Sequence, residues 1–107
     1  MKPLAIALCA ALLPASGVAL ANADLAKKSN CFACHMIDRK LVGPSYQDVA
    51  KRYAGDRMAE ARLIDKVKKG GGGAWKDAGI VVPMPPNSTV KDEDIRTLVR
   101  WILAGAK

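Results

Sequence analysis

Cys31-Phe32-Ala33-Cys34-His35 constrains this chain more than any other feature, because it sets two thiols three residues apart and follows them at once with an imidazole. C-x-x-C-H is the attachment sequence for haem c. On one turn of helix the two thiols can each add to one of the vinyl groups along one porphyrin edge, and the next residue projects its imidazole toward the iron. His35 is the only histidine among 107 residues, so nothing else competes for the proximal position. Three other readings use the same residues. A redox-active dithiol usually sits near a βαβ pattern, and no strand-rich segment is recognisable here. A closed zinc site needs four nitrogen or sulfur ligands, whereas the chain from Asp24 onward offers Cys31, Cys34 and His35 alone. A structural disulfide of an exported protein would leave the adjacent histidine to chance.

Export is itself expected from the first residues. Lys2 precedes an uncharged run over residues 3–23 with an apolar centre from Leu4 to Leu13, Pro14, Ser16 and Gly17 interrupt the helix-favouring pattern, and Ala21-Asn22-Ala23 supplies small residues before Asp24. This is the order of a cleaved secretory signal, giving a leader over 1–23 and one domain over 24–107. An uncleaved anchor is the competing reading, since a run of this length could just span a bilayer; the helix breakers and the small-residue triplet argue against it. Cys9 follows Leu8 rather than a small residue, which sets a lipoprotein aside. Cleavage takes the net charge from +7 to +6, because only Lys2 is lost. A domain of that size buries a modest fraction of its surface and often needs a staple such as a metal, a disulfide or a cofactor.

Met84 is the second chemical signal. It stands in Val82-Pro83-Met84-Pro85-Pro86-Asn87, where the prolines forbid regular helix or a central strand and hold the chain in a stiff extended path. A thioether opposite an imidazole is the His/Met axial pair, which raises the reduction potential and suits electron transfer. Met36 directly follows His35 and cannot reach the other face of a haem, while Met58 falls in a helical stretch and reads as core.

The remaining segments read as helices and loops. A short helix is expected from Asp24 to about Cys34, with a basic face at Lys27 and Lys28. Tyr46, Val49, Ala50 and Tyr53 recur at helical spacing and end near Gly55. Asp56 is placed to cap a third helix whose inner face is Leu63, Ile64 and Val67 and which Gly70 stops. Residues 70–73 read as a turn allowing close backbone approach to the haem rather than as a flexible linker. Thr89 is placed to cap the last helix, where Asp92, Glu93 and Asp94 complement the dipole. Ile95, Leu98, Val99, Ile102 and Leu103 form its apolar stripe, with Trp101 at the edge.

Taken together these motifs resemble the class I monohaem cytochromes c, most closely the short bacterial group named five-fifty-one and five-fifty-two. The resemblance runs through the haem motif, Leu41-Val42-Gly43-Pro44-Ser45-Tyr46-Gln47-Asp48-Val49-Ala50, the glycine run to Trp75, the Met84 loop and the final helix with Trp101. It implies an all-α fold, four or so helices wrapped around one covalent haem, with the last helix crossing the first. It also implies that the Pro44 carbonyl meets the free ring nitrogen of His35, that Trp75 donates to a buried haem propionate, that Lys66 faces a propionate, and that Asn87 hydrogen-bonds near the Met84 sulfur. The stretch from Trp75 to Met84 is longer than in the family, through Lys76-Asp77-Ala78-Gly79-Ile80, and a further residue separates Asn87 from the last helix.

The implied function is that of a soluble, monomeric periplasmic carrier of single electrons, not an enzyme. Its donor would be a membrane quinol-oxidising complex and its acceptor a nitrite reductase, terminal oxidase or peroxidase. The rival class is a five-coordinate haem enzyme or gas sensor. Two ionised propionates would lower the formal charge to about +4, and a positive surface around the haem edge would steer the protein to an acidic patch. Nucleic acid is not an expected partner of an exported chain that lacks an aromatic-basic reading surface.

Overall fold

Local stop signals set the helix boundaries. The computed structural model describes residues 16–107. Four helices run in order, α1 Ser16–Lys28, α2 Tyr46–Arg52, α3 Ala59–Lys69 and α4 Asp92–Leu103, with single 3-10 turns at Cys31–Ala33 and Lys76–Ala78. No sheet forms among the described residues; Gly71 and Met84 make an isolated antiparallel bridge.

The first helix departs from its expected limits at both ends. It already includes Ser16 and Gly17, because the alanine- and leucine-rich run that follows has high helix propensity and one glycine costs only about 1 kcal/mol. It stops at Lys28, short of the cysteines, where Asn30 turns into the left-handed region at φ 61° and the Ser29 amide closes on the Leu25 carbonyl at 3.0 Å. The helix therefore runs across the expected cleavage point between Ala23 and Asp24, and the part of the expected leader before Ser16 lies outside the described residues.

Ser45 starts α2: it is buried, and its hydroxyl accepts from the Asp48 amide at 3.0 Å. Before α3, the Asp56 carboxylate accepts the Met58 amide at 2.9 Å. That turn holds Met58 outward, so it is 56% exposed and not the core residue expected; Ala59 is the buried residue of α3 instead. Gly70 ends α3 as expected, with φ 73°. Thr89 does not cap α4. The turn over 87–90 closes by a bond from the Val90 amide to the Asn87 carbonyl, and the helix begins two residues later behind Lys91, which offers no side-chain cap. The carboxylates of its first turn complement the positive end of the dipole there, and Lys68 of α3 reaches Asp92 at 2.9 Å.

α4 packs against all three other helices. Ile95, Leu98, Val99 and Ile102 are buried as the stripe predicts, but Trp101 is buried too, at 6% exposed, with its ring edge-on to Tyr46 at 5.7 Å. Ala26 of α1 sits without exposed surface in the same cluster as Trp101, Ile102 and Ala106, so the first and last helices cross where a small side chain lets them approach. An ion pair from Arg100 to Glu60 at 2.7 Å adds a surface tie between α4 and α3.

Candidate cofactor site

The motif sits on the 3-10 turn that follows α1. The His35 amide donates back to the Cys31 carbonyl at 3.0 Å, so both cysteines and the histidine share one turn. The chain then loops over residues 36–45 and returns to the motif. The Gly43 amide donates to the Cys34 carbonyl at 2.8 Å, and those of Tyr46 and Gln47 donate to the Met36 and Ile37 carbonyls. This return places Pro44 so that its carbonyl accepts from His35 Nδ1 at 2.7 Å. With Nδ1 carrying the proton, Nε2 keeps its lone pair. Tyr46 stacks on the imidazole with centroids 5.1 Å apart, and the same ring touches Phe32 and Trp101, linking the motif to the helical core.

Burial pushes His35 below its ordinary value, against an opposing contribution from the Pro44 bond. Burial pushes the Cys31 thiol up, and burial together with the adjacent Cys31 carries Tyr46 far above the usual phenol range. Both thiols are free.

Met84 arrives from the other end of the chain. Its amide donates to the Gly71 carbonyl and its carbonyl accepts from the Gly71 amide, both at 2.9 Å, so the methionine backbone is pinned on each side. The glycine run makes this possible. A β-carbon on Gly70 would collide with the Met84 carbonyl and with Pro85 and Pro86, and Gly70 and Gly71 both have positive φ. Gly70 thus makes its close approach to the methionine loop, while Gly71, Gly72 and Gly73 line the space between the motif and Met84. Asn87 secures the same loop from behind, donating from Nδ2 to the Val67 carbonyl at 2.9 Å and to the Pro85 carbonyl at 3.4 Å. Its amide group is thus engaged with α3 and the proline loop.

Between these two walls lies an open-mouthed cavity. Cys31, Cys34, His35, Pro44, Lys66, Trp75 and Met84 all line it; of the residues singled out in the sequence only Asn87 stands behind the wall. Leu63, Val67, Leu98, Val99 and Ile102 supply an aliphatic floor. Protein interiors are close-packed, so a hollow lined at once by two thiols, an imidazole and a thioether inside so small a helical domain marks a binding space. A flat apolar macrocycle suits the floor, two thiols stand ready at one edge, and an imidazole and a thioether share the space. These residues fit haem c. Three contributors carried no signal that sequence reading caught. Tyr46 reads only as an α2 core position, Gly43 is visible only through the side chain it lacks, and the Gly71–Met84 pairing needs two distant segments.

The cytochrome c family model matches residues 18–106. Cytochrome c-552 of Nitrosomonas europaea is 46% identical over 94 residues, which cover 88% of this chain and 87% of that protein. Cytochrome c-551 of Allochromatium vinosum is 51% identical over 85 residues, covering 79% and 86%. The crystal structure of wild-type Nitrosomonas europaea cytochrome c552 superposes with a TM-score of 0.70 at 46% identity, covering 77% of this chain and 96% of that one.

Proposed function

This chain belongs to the cytochrome c family, and from that premise we propose that it is a periplasmic carrier of single electrons with His35 and Met84 as the axial ligands of its haem iron. It is a small monohaem cytochrome c, an electron-transfer protein and not an enzyme, and its cofactor is haem c. When bound, haem c supplies a reversible one-electron ferrous/ferric couple. The protein's part is to hold that couple still. Cys31 and Cys34 fix the ring by thioethers. The Pro44 carbonyl holds the His35 ring in one tautomer and orientation. Met84 is held by its paired hydrogen bonds to Gly71, and the aliphatic floor keeps water away.

The pinned Met84 backbone is the observation that favours a carrier over a five-coordinate enzyme or gas sensor. A labile sixth position would suit a mobile loop, whereas this one is bridged to Gly71 and tied to α3 by Asn87. The test is spectroscopic. Haem stain should survive denaturation, and the ferric protein should show the weak long-wavelength methionine-to-iron band. Met84→Ala should lose that band and bind carbon monoxide in the ferrous form. A wild type without the band that binds carbon monoxide readily would defeat the carrier reading.

Location and partners extend the proposal. The leader over 1–23 is removed on export, which would cost the core little: Leu20 is exposed, Ala23 is the leader residue that packs against the core, and Leu25 and Ala26 stay with the domain. Among the described residues no helix is long and apolar enough to cross a membrane. Lys66 at the cavity and Lys40 and Lys76 on neighbouring segments favour acidic redox partners, with a quinol-oxidising membrane complex as donor and a nitrite reductase, terminal oxidase or peroxidase as acceptor.

A further inference from the structure

The residues between Trp75 and Met84, expected from the sequence to lengthen that path, do not form a free excursion. Arg52, the last residue of α2, holds their base. One guanidinium nitrogen donates to the Ala74 carbonyl at 2.7 Å and the other to the Asp77 carboxylate at 2.6 Å. Its Cζ also lies 3.5 Å from the centroid of the Trp75 ring. The Arg52 side chain keeps only 28% of its surface exposed, while Asp77 keeps 69%. Within the segment, the amides of Ala78 and Ile80 both donate to the Trp75 carbonyl at 3.1 Å, and Gly79 allows the return with φ 77°. Lys40 adds a second tie, donating to the Ala78 carbonyl at 3.2 Å. The closed turn leaves Trp75 and Ile80 on the cavity wall, Ile80 buried.

We propose that Arg52, oriented by Asp77, is a positioning residue for the cofactor pocket: it clamps the 74–80 segment so that Trp75 and Ile80 stay closed over the cavity and exclude water from that side. The clamp rests on the reading that haem fills this cavity with Met84 as a ligand. The geometry needs arginine, because stacking on an indole and forking to two acceptors at once use a planar guanidinium that lysine lacks. Its consequence is electrochemical. A shell that keeps out water disfavours the more highly charged ferric state and holds the reduction potential up. Loosening the segment lowers the potential.

Charge alone predicts something different, which makes the clamp testable. Removing a negative charge by Asp77→Asn should raise the potential through Coulomb interaction, but it lowers it if the clamp opens. Arg52→Lys conserves charge and should do nothing electrostatically, yet it breaks the fork and the stack. The experiment measures, on the holoprotein, the reduction potentials of wild type, both single variants and the double variant. The methionine band and the hydrogen exchange of the Ala78 and Ile80 amides are followed in each. We expect both single variants to shift the potential down, the double variant to shift it no further than Arg52→Lys alone, and the two amides to exchange several-fold faster. A raised potential in Asp77→Asn with Arg52→Lys unchanged would reduce the pair to a charge effect. Faster exchange with unaltered potentials would make it merely structural, and either result overturns the clamp. Absence of the methionine band from the wild type would instead overturn the ligation reading beneath it, and the clamp with it. Asp77 is exposed, so its amide variant keeps the fold available for measurement.

Discussion

Gly43 lacks a side chain at a place where His35 fills the space one would need. A β-carbon there would stand 2.6 Å from the imidazole Cε1 and 2.9 Å from Nδ1, with the Gly43 amide already fixed on the Cys34 carbonyl. Neither the backbone nor the ring can yield without disturbing the Nδ1 bond to Pro44. Gly43→Ala should therefore destabilise the protein by about 1–3 kcal/mol, in the range of other overpacked sites, and denaturant titration of the holoprotein would measure it. A midpoint equal to wild type would show that the ring moves aside freely. The contrast with its neighbour explains what sequence can disclose at this scale. Cys31, Cys34, His35 and Met84 each carry a group whose chemistry names its task, and all four reach one cavity. Glycine carries none. The roles of Gly43 and of Gly70, which clears space for the Met84 carbonyl, become visible only when a second segment lies against them.

At the level of elements, periodicity proved a better guide than capping residues. The α4 stripe stands where spacing placed it, because burial of an apolar face decides it over many residues, and α3 stops at Gly70 because glycine takes up the positive φ that ends the helix. Thr89 fails as a cap because a helix start depends on the path of a few backbone atoms, and here the turn after Asn87 carries the chain two residues further. Ser45 is the opposite case, a cap whose hydroxyl is buried and bonded. It opens α2 one residue before Tyr46, whose ring lies on His35, so the cap supports the motif as well as the helix. Ser45→Ala should cost about 1 kcal/mol. Its mark should be local: the Asp48 amide should lose protection in hydrogen exchange before amides of α4 do. Uniform loss of protection across α2 and α4 would mean that the cap acts only through global stability.

Seen as a whole molecule, the chain distributes its charge unevenly. The acidic first turn of α4 is partly answered by Lys68, while Lys66 lines the cavity and Lys40 and Lys76 belong to segments that meet beside it. Between these bases Val42 and Val82 line the cavity and keep much of their surface exposed, as do the adjoining Leu41 and Val81. Such a face suits brief contact: long-range attraction brings an acidic partner in, and exposed aliphatic groups permit close approach without many hydrogen bonds to break on leaving. Attraction of this kind acts across the Debye length, which contracts from about 30 Å at 0.01 M salt to about 8 Å at 0.15 M. The second-order rate of electron exchange with an acidic redox partner should fall on the order of tenfold over that range. Lys76→Glu should lower the rate at low salt and flatten its salt dependence while leaving the absorption spectrum unchanged, since Lys76 is exposed and holds no ligand. A rate indifferent to salt in the wild type would mean that the aliphatic face alone governs docking, and the basic residues near the cavity would then be ordinary solvated surface.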